Sequence, residues 1–340
     1  MFGGKRELLA RTIYGTGGCT VLNALPSVDS LLVLAYHRVG NPAEEEFDPG
    51  LFDSTQELLD EQLRYLKRQH SLVSLDEAIA FVNGGSREKT ERCRVLVTFD
   101  DGYLDNYRIV YPVMKSHSVE AVFFLVSDLV GTSTLTWWEQ IAFMVRNSRN
   151  RRFKLRYPTD LDVDLDSTTL SRSLNSILNL YKRPDAKDKV EFFKELRKGT
   201  GSDDPPAVER RFLDWKEAEE MVRGGMAVGS HTVSHPLLSQ LDVDGQLEEL
   251  TTSKRVIEDK LKIRVRALAY PVGLPTSFTN ETRDLARRAG YEVAFSYYGG
   301  TNLRDNCTPY DIRRVSRGGE SQTRFFAQAA ICRATGKWWP

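Results

Sequence analysis

Continuous apolar runs separated by helical patterns are the feature that most constrains the fold of this 340-residue chain. Residues 31–36 and 121–126 are uninterrupted apolar runs, and a shorter run lies at 95–98. Such runs are typical of strands that are buried on both faces of a parallel sheet. Segments with apolar residues at helical spacing lie between them. This alternation predicts an α/β fold with parallel strands.

Four further strand-like segments lie later in the chain, at 226–230, 265–270, 291–297 and 311–316. Together with the first three they give about seven strands. Several of these strands are followed by polar side chains of types that are common in catalytic and metal-binding sites. Functional residues at the carboxyl ends of parallel strands are the arrangement of a TIM-type barrel.

Two regions lie outside this alternation. Residues 1–28 are predicted to form an N-terminal helical extension, so that the barrel domain spans 29–340. Residues 132–213 are predicted to be a helical insertion between consecutive barrel strands, because they carry a basic run, an acidic run and a Gly/Pro loop. Trp137 and Trp138 in this insertion either stack on a substrate or pack in the insertion's own core.

Composition excludes some classes of protein. Lys+Arg and Asp+Glu both total 47, so the net charge is zero, which argues against a nucleic-acid protein that relies on a global basic field. The 4 cysteines are widely scattered and predict no disulfide framework. No apolar run reaches the roughly 20 residues that a membrane span requires.

The N-terminus lacks the unbroken apolar core of a signal peptide, so a cytoplasmic location is the default expectation. Apolar residues of the extension, among them Leu8, Ile13 and Val21, can form amphipathic helical segments. Peripheral contact with a membrane surface and packing against the domain are both open for these segments.

Two adjacent carboxylates and a glycine follow the run that ends at Thr98, namely Asp100, Asp101 and Gly102. Side chains alternate along a strand, so the two carboxylates should leave the backbone in different directions, one free to bind a metal and one to take a proton. Glycine permits a sharp turn directly after them. A surface Asp-Asp-Gly turn also fits, because these residues are common in turns.

A second polar group follows the predicted strand 226–230, where His231 and His235 lie four residues apart. Two histidines at this spacing can converge on one metal ion. In the zinc-protease pattern a glutamate follows the first histidine and serves as general base. Thr232 occupies that position here. The base must therefore come from elsewhere, and the free aspartate of the pair supplies one.

The segments TFDDGY and SHTVSH, in this order and each after a strand, resemble the NodB-type polysaccharide deacetylases, carbohydrate esterase family 4. Residues 36–39 (YHRV), the turn 270–273 (YPVG) and residues 212–232 resemble the same family, so the resemblance covers about residues 31–318. It implies a distorted (β/α)7 barrel. It also implies a hydrolase that removes N-acetyl groups from amino sugars of a polysaccharide or glycolipid precursor.

The resemblance further implies a site built on one divalent ion, with Zn²⁺ the first candidate and Co²⁺, Ni²⁺, Mn²⁺ or Fe²⁺ as alternatives. Its three protein ligands would be Asp101, His231 and His235. Asp100 would then be the general base. The oxyanion donor would be a backbone N–H in the turn that begins at Tyr270, which here is the amide of Val272.

Two departures from the family pattern affect the supporting residues. In many members an arginine contacts the base, and Ala269 stands at that position here. Arg266 is close in sequence, but its side chain need not face the same way. The arginines on or after the last strand can supply this charge instead, namely Arg313, Arg314 and Arg317. No histidine follows His235 to protonate the leaving amine, so His37 is the candidate acid.

Two other functions fit the same residues. One is a catalytically inactive protein that binds carbohydrate, against which the complete Asp and His set argues. The other is a metal-dependent hydrolase of a small cyclic amide or imide, which should have a closed pocket, whereas an enzyme acting on a glycan should have an open groove. The sequence leaves the sugar, its chain length and the oligomeric state open.

Overall fold

The apolar runs form parallel strands of one curled sheet in the computed structural model, which describes residues 2–85, 92–166, 168–183, 185–316 and 321–338. The strands within these ranges are β1 Ser30–Tyr36, β2 Arg38–Val39, β3 Phe52–Ser54, β4 Ser71–Leu72, β5 Arg94–Phe99, β6 Val122–Leu125, β7 Arg152–Leu155, β8 Leu161–Asp164, β9 Ala227–Ser230, β10 Ala267–Ala269, β11 Val293–Phe295, β12 Asn302–Leu303 and β13 Val315–Ser316.

Helices lie between most of these strands. They are α1 Phe2–Gly15, α2 Gly18–Ala24, α3 Gln56–Gln69, α4 Leu75–Val82, α5 Tyr111–Ser116, α6 Trp137–Arg146, α7 Leu170–Tyr181, α8 Lys189–Thr200, α9 Trp215–Arg223, α10 Val243–Leu261, α11 Asn280–Arg288 and α12 Gln322–Thr335. A π-helical turn at Asn106–Val110 precedes α5, and short 3₁₀ turns lie at Pro42–Glu44, Pro49–Leu51, Leu238–Gln240 and Arg304–Asn306.

The barrel strands pair in the order β11, β10, β9, β6, β5, β1, and all of these pairs are parallel. The segment 312–316 closes the ring, because Ile312 pairs with Phe295 of β11 and Val315 pairs with Leu34 of β1. Six strands and this closing segment form a distorted (β/α)7 barrel, as predicted.

The strands alternate between an inner and an outer apolar surface, as the two-residue period of a strand requires. The outward side chains, such as Leu32 and Val95, pack against the surrounding helices. The inward side chains, such as Val33, Phe124 and Phe295, form a separate core with residues of α4. Phe81 of α4 lies beside the first residue of β5, so α4 closes the amino end of the barrel and leaves the carboxyl end open.

Several element boundaries differ from the prediction. Apolar residues at helical spacing over 53–70 predict a helix from residue 53, but α3 begins at Gln56 and Asp53 lies on β3. The sequence also offers Asp76 as the cap of the next helix, but Ser74 caps α4, because the Ser74 hydroxyl accepts the hydrogen bond from the Glu77 amide. Strands β10 and β11 are shorter at both ends than the predicted segments 265–270 and 291–297.

The region 132–213 contains more than the predicted helices. It holds α6, α7 and α8, and also an antiparallel hairpin of β7 and β8. Its apolar side chains form a core of their own that extends onto the carboxyl end of the barrel. Buried Glu139 of α6 accepts hydrogen bonds from Arg211 (2.9 Å) and Tyr103 (3.2 Å), and Arg211 also pairs with Glu45. These contacts dock the insertion beside the strand ends.

The extension is helical and packs on α12. Ala10 is buried, the Tyr14 ring stacks on Phe326, and Ser321 donates a hydrogen bond to Glu7. Leu8 and Val21 nevertheless remain 67% and 64% exposed. Within the described ranges, every helix is too short or too polar to cross a bilayer. Contact with a membrane surface stays a prediction, as do the boundaries assigned to the extension and the insertion.

The close approach of β9 to its neighbours yields a test of the barrel packing. A Cβ atom at Gly229 would lie 2.4 Å from the Phe124 ring and 3.0 Å from the Ala267 carbonyl oxygen. We expect Gly229→Ala to lower the free energy of unfolding by about 1–3 kcal/mol through overpacking, measured by urea denaturation. Gly15→Ala, where no atom lies within 4 Å, is the control, and equal midpoints for the two variants would contradict this packing.

Candidate active site

Polar side chains from several strand ends meet in one cavity of about 310 Å³ at the carboxyl end of the barrel. The strands β1, β5 and β9 are each followed directly by a lining residue or pair, namely His37, Asp100 with Asp101, and His231. Arg314 of the closing segment lines the same cavity. The parallel sheet therefore brings together residues that are more than 200 positions apart in sequence.

The backbone bends sharply where it enters this cavity. Six non-glycine residues in the described ranges have a positive φ, and four of them lie here: Asp101 (72°), Thr232 (69°), His235 (58°) and Val272 (63°). Gly102 follows with φ of 76°, and a Cβ there would lie 2.8 Å from the Leu125 side chain. Conformations of this kind cost energy and are characteristic of functional sites.

The strand-end turn sends the two aspartates in different directions, as predicted. Asp100 faces Arg314, and the carboxylate of Asp101 faces the two histidines. The Asp101 Oδ1 atom lies 3.6 Å from Nε2 of His231 and 3.6 Å from Nε2 of His235. One oxygen and two nitrogen ligand atoms thus converge, and all three lie within 4.8 Å of one another.

Hydrogen bonding fixes the tautomer of His231. Its Nδ1 lies 2.8 Å from the carbonyl oxygen of Ala269, which can only accept, so Nδ1 carries the proton and Nε2 keeps its lone pair. A partner of this kind on the far nitrogen is usual for metal-binding histidines. The His235 ring is held instead by packing, with the Trp138 ring at 4.6 Å.

The three residues fit a divalent cation. Asp101 Oδ1 and His235 Nδ1 are buried and lack a hydrogen-bond partner among the described residues. Burial raises the pKa of Asp101 to about 7 and lowers the pKa of His231 to about 4. Burial and the neighbouring His231 also lower the pKa of His235 well below its usual range. Two neutral imidazoles and a buried carboxylate that forms no ion pair with a lysine or arginine in the described ranges are the donor set that a bound cation stabilises.

Asp100 forms a buried ion pair with Arg314, and its Oδ2 atom also lies 3.9 Å from Nε2 of His231. The Arg314 nitrogens Nη1 and Nη2 lie 2.7 and 2.8 Å from the two carboxylate oxygens of Asp100. Burial would raise the pKa of Asp100, but the Arg314 charge and hydrogen bonds outweigh it and lower the pKa to about 2. Of the three arginines considered from sequence, Arg314 makes the contact, Arg313 is exposed, and Arg317 lies outside the described residues.

His37 has its own carboxylate partner. The Nδ1 atom of His37 lies 3.1 Å from Oδ2 of Asp53, which also accepts the His37 backbone N–H at 2.7 Å. Burial opposes the charged imidazole, but the hydrogen bond and charge of Asp53 outweigh it and raise the pKa of His37 to about 9. The His37 side chain is 23% exposed, so a ligand in the cavity can reach it.

The turn after β10 places Tyr270 and Val272 at the cavity in different ways. The Tyr270 ring is fully buried against Phe278, and its hydroxyl donates to the carbonyl of Tyr310 at 3.1 Å. Val272 has a left-handed backbone, and its amide makes no hydrogen bond within the described part of the chain. Val272, rather than the Tyr270 side chain, therefore offers a donor to a bound group.

The insertion supplies one wall of the cavity. Trp137 and Trp138 line it, and Trp138 is only 6% exposed because it also belongs to the insertion core. Packing within the insertion is thus observed for both, since the Trp137 ring stacks on Tyr181 at 4.3 Å, and stacking on a substrate stays a prediction. Sequence reasoning missed six lining residues and the partner of His37: Asp48, Leu51, Leu178, Lys182, Leu274, Tyr297 and Asp53.

Comparison with known proteins gives a consistent result. The family model described as polysaccharide deacetylase matches residues 87–151 and 172–294, which is more than half of the chain. YxkH of Bacillus subtilis (strain 168), provisionally named as a polysaccharide deacetylase, is 21% identical over 229 residues. That alignment covers 67% of this chain and 53% of YxkH, so the chain spans about half the length of this relative.

Solved structures share the fold. The Streptococcus pyogenes deacetylase PplD, in complex with acetate, aligns with a TM-score of 0.55 and 19% identity over 90% of this chain and 99% of its own. IcaB from Ammonifex degensii aligns with a TM-score of 0.56 and 20% identity, covering 89% of this chain and 98% of its own. At these identities the likeness establishes the fold.

The buried pair of Asp100 and Arg314 yields a stability test. We expect Arg314→Met to lower the free energy of unfolding by about 3–5 kcal/mol, because it leaves a buried carboxylate unpaired. Adding Asp100→Asn should recover part of that loss, since the remaining group is neutral. Chemical denaturation measures both, with exposed Arg313→Met as the control. Full additivity of the Asp100 and Arg314 changes would contradict the pairing.

Proposed function

The chain belongs to the polysaccharide deacetylase family, and we propose that it is a metal-dependent hydrolase that removes N-acetyl groups from amino sugars of a polysaccharide or glycolipid precursor. The supporting observation is the division of labour between two adjacent aspartates. Asp101 joins two neutral histidines in a cation-binding set, while both carboxylate oxygens of Asp100 accept hydrogen bonds from Arg314.

The proposed metal ligands are Asp101, His231 and His235. Three protein ligands with open positions are typical of catalytic rather than structural sites. When bound, a divalent ion supplies Lewis-acid polarisation of the acyl carbonyl and makes water more acidic. Zn²⁺ is the first candidate for this donor set, and Co²⁺, Ni²⁺, Mn²⁺ and Fe²⁺ also suit it.

Asp100 is the proposed general base. Its low pKa keeps the carboxylate ionised at any working pH, but it also makes Asp100 a weak base for ordinary water. Proton transfer to Asp100 therefore depends on water that has been made more acidic. Because the side chains alone do not make water more acidic, we expect no measurable reaction from protein without a bound metal ion. Arg314 is a positioning residue, because it acts through Asp100.

Val272 and His37 are proposed to complete the reaction. The free amide of Val272 would donate to the oxygen that gains negative charge when water adds to the acyl carbon. His37, protonated at Nε2 and held by Asp53 through Nδ1, would give a proton to the leaving nitrogen. The C–N bond then breaks, and the products are acetate and a free amino sugar.

The first prediction concerns metal dependence. We expect purified protein to release acetate from N-acetylated glycans, to lose this activity when stripped of metal, and to regain it with Zn²⁺, Co²⁺, Ni²⁺ or Mn²⁺. Asp100→Asn and His231→Ala should each lower kcat by about 10²-fold or more, because one removes the base and the other a ligand. A coupled acetate assay measures the rates.

Asp203→Asn, which changes an exposed carboxylate of the insertion, is the matched control and should retain full activity. Metal binding without acetate release from any glycan would contradict the proposed substrate and favour a small cyclic amide or imide. Absence of metal binding would contradict the mechanism and favour a carbohydrate-binding protein.

The second prediction concerns the pH profile. His37 must be protonated to act as an acid, and its raised pKa of about 9 keeps it protonated through neutral pH. Asp53→Asn removes the carboxylate that raises this pKa, so the basic limb of kcat/KM should move to lower pH. Asp60→Asn, which removes the partner of His117 elsewhere, should leave the profile unchanged. A basic limb that stays in place in Asp53→Asn would exclude His37 as the acid.

A further inference from the structure

One cation on the cavity wall has no role in the proposed reaction. Lys182 follows the last residue of α7 and lines the same cavity as Asp100 and the three proposed ligands. It comes from the insertion, so it belongs to the wall that the barrel itself does not provide. Trp137 and Leu178 lie on the same wall.

Lys182 differs from the other cations around it in having no partner. Arg314 pairs with Asp100, Arg183 pairs with Asp185, and Lys189 donates to the carbonyls of Tyr181 (2.9 Å) and Ala186 (2.7 Å). Within the described ranges, the ammonium of Lys182 forms neither a hydrogen bond nor an ion pair. The Nζ atom of Lys182 lies over the face of the Trp137 ring, 5.9 Å from its centroid.

The partly buried position of Lys182 makes an unpaired ammonium there unfavourable in free energy. Burial lowers the pKa of Lys182, and Asp48 only partly opposes that effect. Asp48 lines the cavity as well, but its Oδ1 accepts the Gly50 amide at 2.9 Å and it forms no ion pair with Lys182 in the described part of the chain. A desolvated ammonium is stabilised when an anion enters beside it, because the free energy of the pair is lower than that of the isolated charge. A lysine offers that anion a point charge and three donors.

We propose that Lys182 forms a subsite for an anionic group of the substrate, a phosphate or a carboxylate, attached close to the N-acetylated sugar. This inference rests on the proposed function. The cavity, at about 310 Å³, lies at the lower end of the range for ligand sites, about 300–1,000 Å³. A cavity of this size suits one sugar ring with its substituents better than a long stretch of neutral polymer.

Two sources of the anion have the same chemistry. A phosphate on the anomeric carbon is present in both nucleotide-linked and lipid-linked sugars, and a carboxylate is present where the neighbouring sugar is a uronic acid. Either group accepts charge-assisted hydrogen bonds from an ammonium. A neutral glycan lacks such a group and leaves Lys182 without a partner.

The test compares three probes with the metal-loaded full chain: N-acetylglucosamine 1-phosphate, a disaccharide of glucuronic acid and N-acetylglucosamine, and the neutral methyl glycoside of N-acetylglucosamine. We expect kcat/KM to favour one anionic probe over the methyl glycoside. Lys182→Met should lower that preference by about tenfold or more, the effect of losing a charge-assisted hydrogen bond. Lys187→Met, which changes an exposed lysine of the insertion, should leave it unchanged.

The anionic probe whose kcat/KM advantage over the methyl glycoside is lost in Lys182→Met shows whether the subsite takes a phosphate or a carboxylate. An unchanged preference in Lys182→Met, in a variant that unfolds at the same temperature as the parent, would overturn the subsite. Calorimetric binding of the same probes separates this inference from the proposed function. If neither these probes nor any N-acetylated glycan releases acetate, the proposed function fails, yet Lys182-dependent binding of an anionic probe still supports the subsite. Equal binding of all probes, or no binding, would overturn it.

Discussion

The buried ion pair between Asp100 and Arg314 is the interaction on which the site depends. It joins the carboxyl end of β5 to the segment that closes the barrel, so one contact serves both the fold and the chemistry. Each group is almost completely buried. A buried charge that loses its partner costs about 3–5 kcal/mol. The pair therefore fixes where Asp100 points, which leaves the neighbouring Asp101 to face the histidines.

Burial then gives the two adjacent carboxylates opposite properties. Asp100 has its charge compensated by Arg314 and is ionised well below neutral pH. Asp101 lacks a compensating side chain of that kind, and burial moves its pKa toward 7. The charge of Asp100 is thus balanced by the protein itself, whereas the charge of Asp101 is left for a bound cation to balance. The contrast between a paired and an unpaired charge also distinguishes buried Arg314 from half-buried Lys182 on the cavity wall.

Sequence reasoning predicted the barrel and the central residues because both depend on local patterns. Apolar runs marked the strands, Asp100, Asp101 and His231 follow them directly, and His235 lies four residues after His231. The choice of Arg314 over Arg313 was not predictable, because it depends on which side chains of the short closing segment 312–316 turn inward. Asp53 and Lys182 were missed for a related reason. Their positions depend on how β3 and the insertion approach the strand ends, and no local motif accompanies that approach.

Metal content of the Asp100→Asn and Asp101→Asn proteins, measured by mass spectrometry after dialysis against Zn²⁺, tests the division between these residues most directly. The account predicts about one ion per chain in Asp100→Asn, as in the unaltered protein, and loss of bound metal in Asp101→Asn. Acetate release should be absent from both. Equal loss of metal from the two variants would contradict separate roles for the adjacent aspartates, and so would retention of metal by Asp101→Asn.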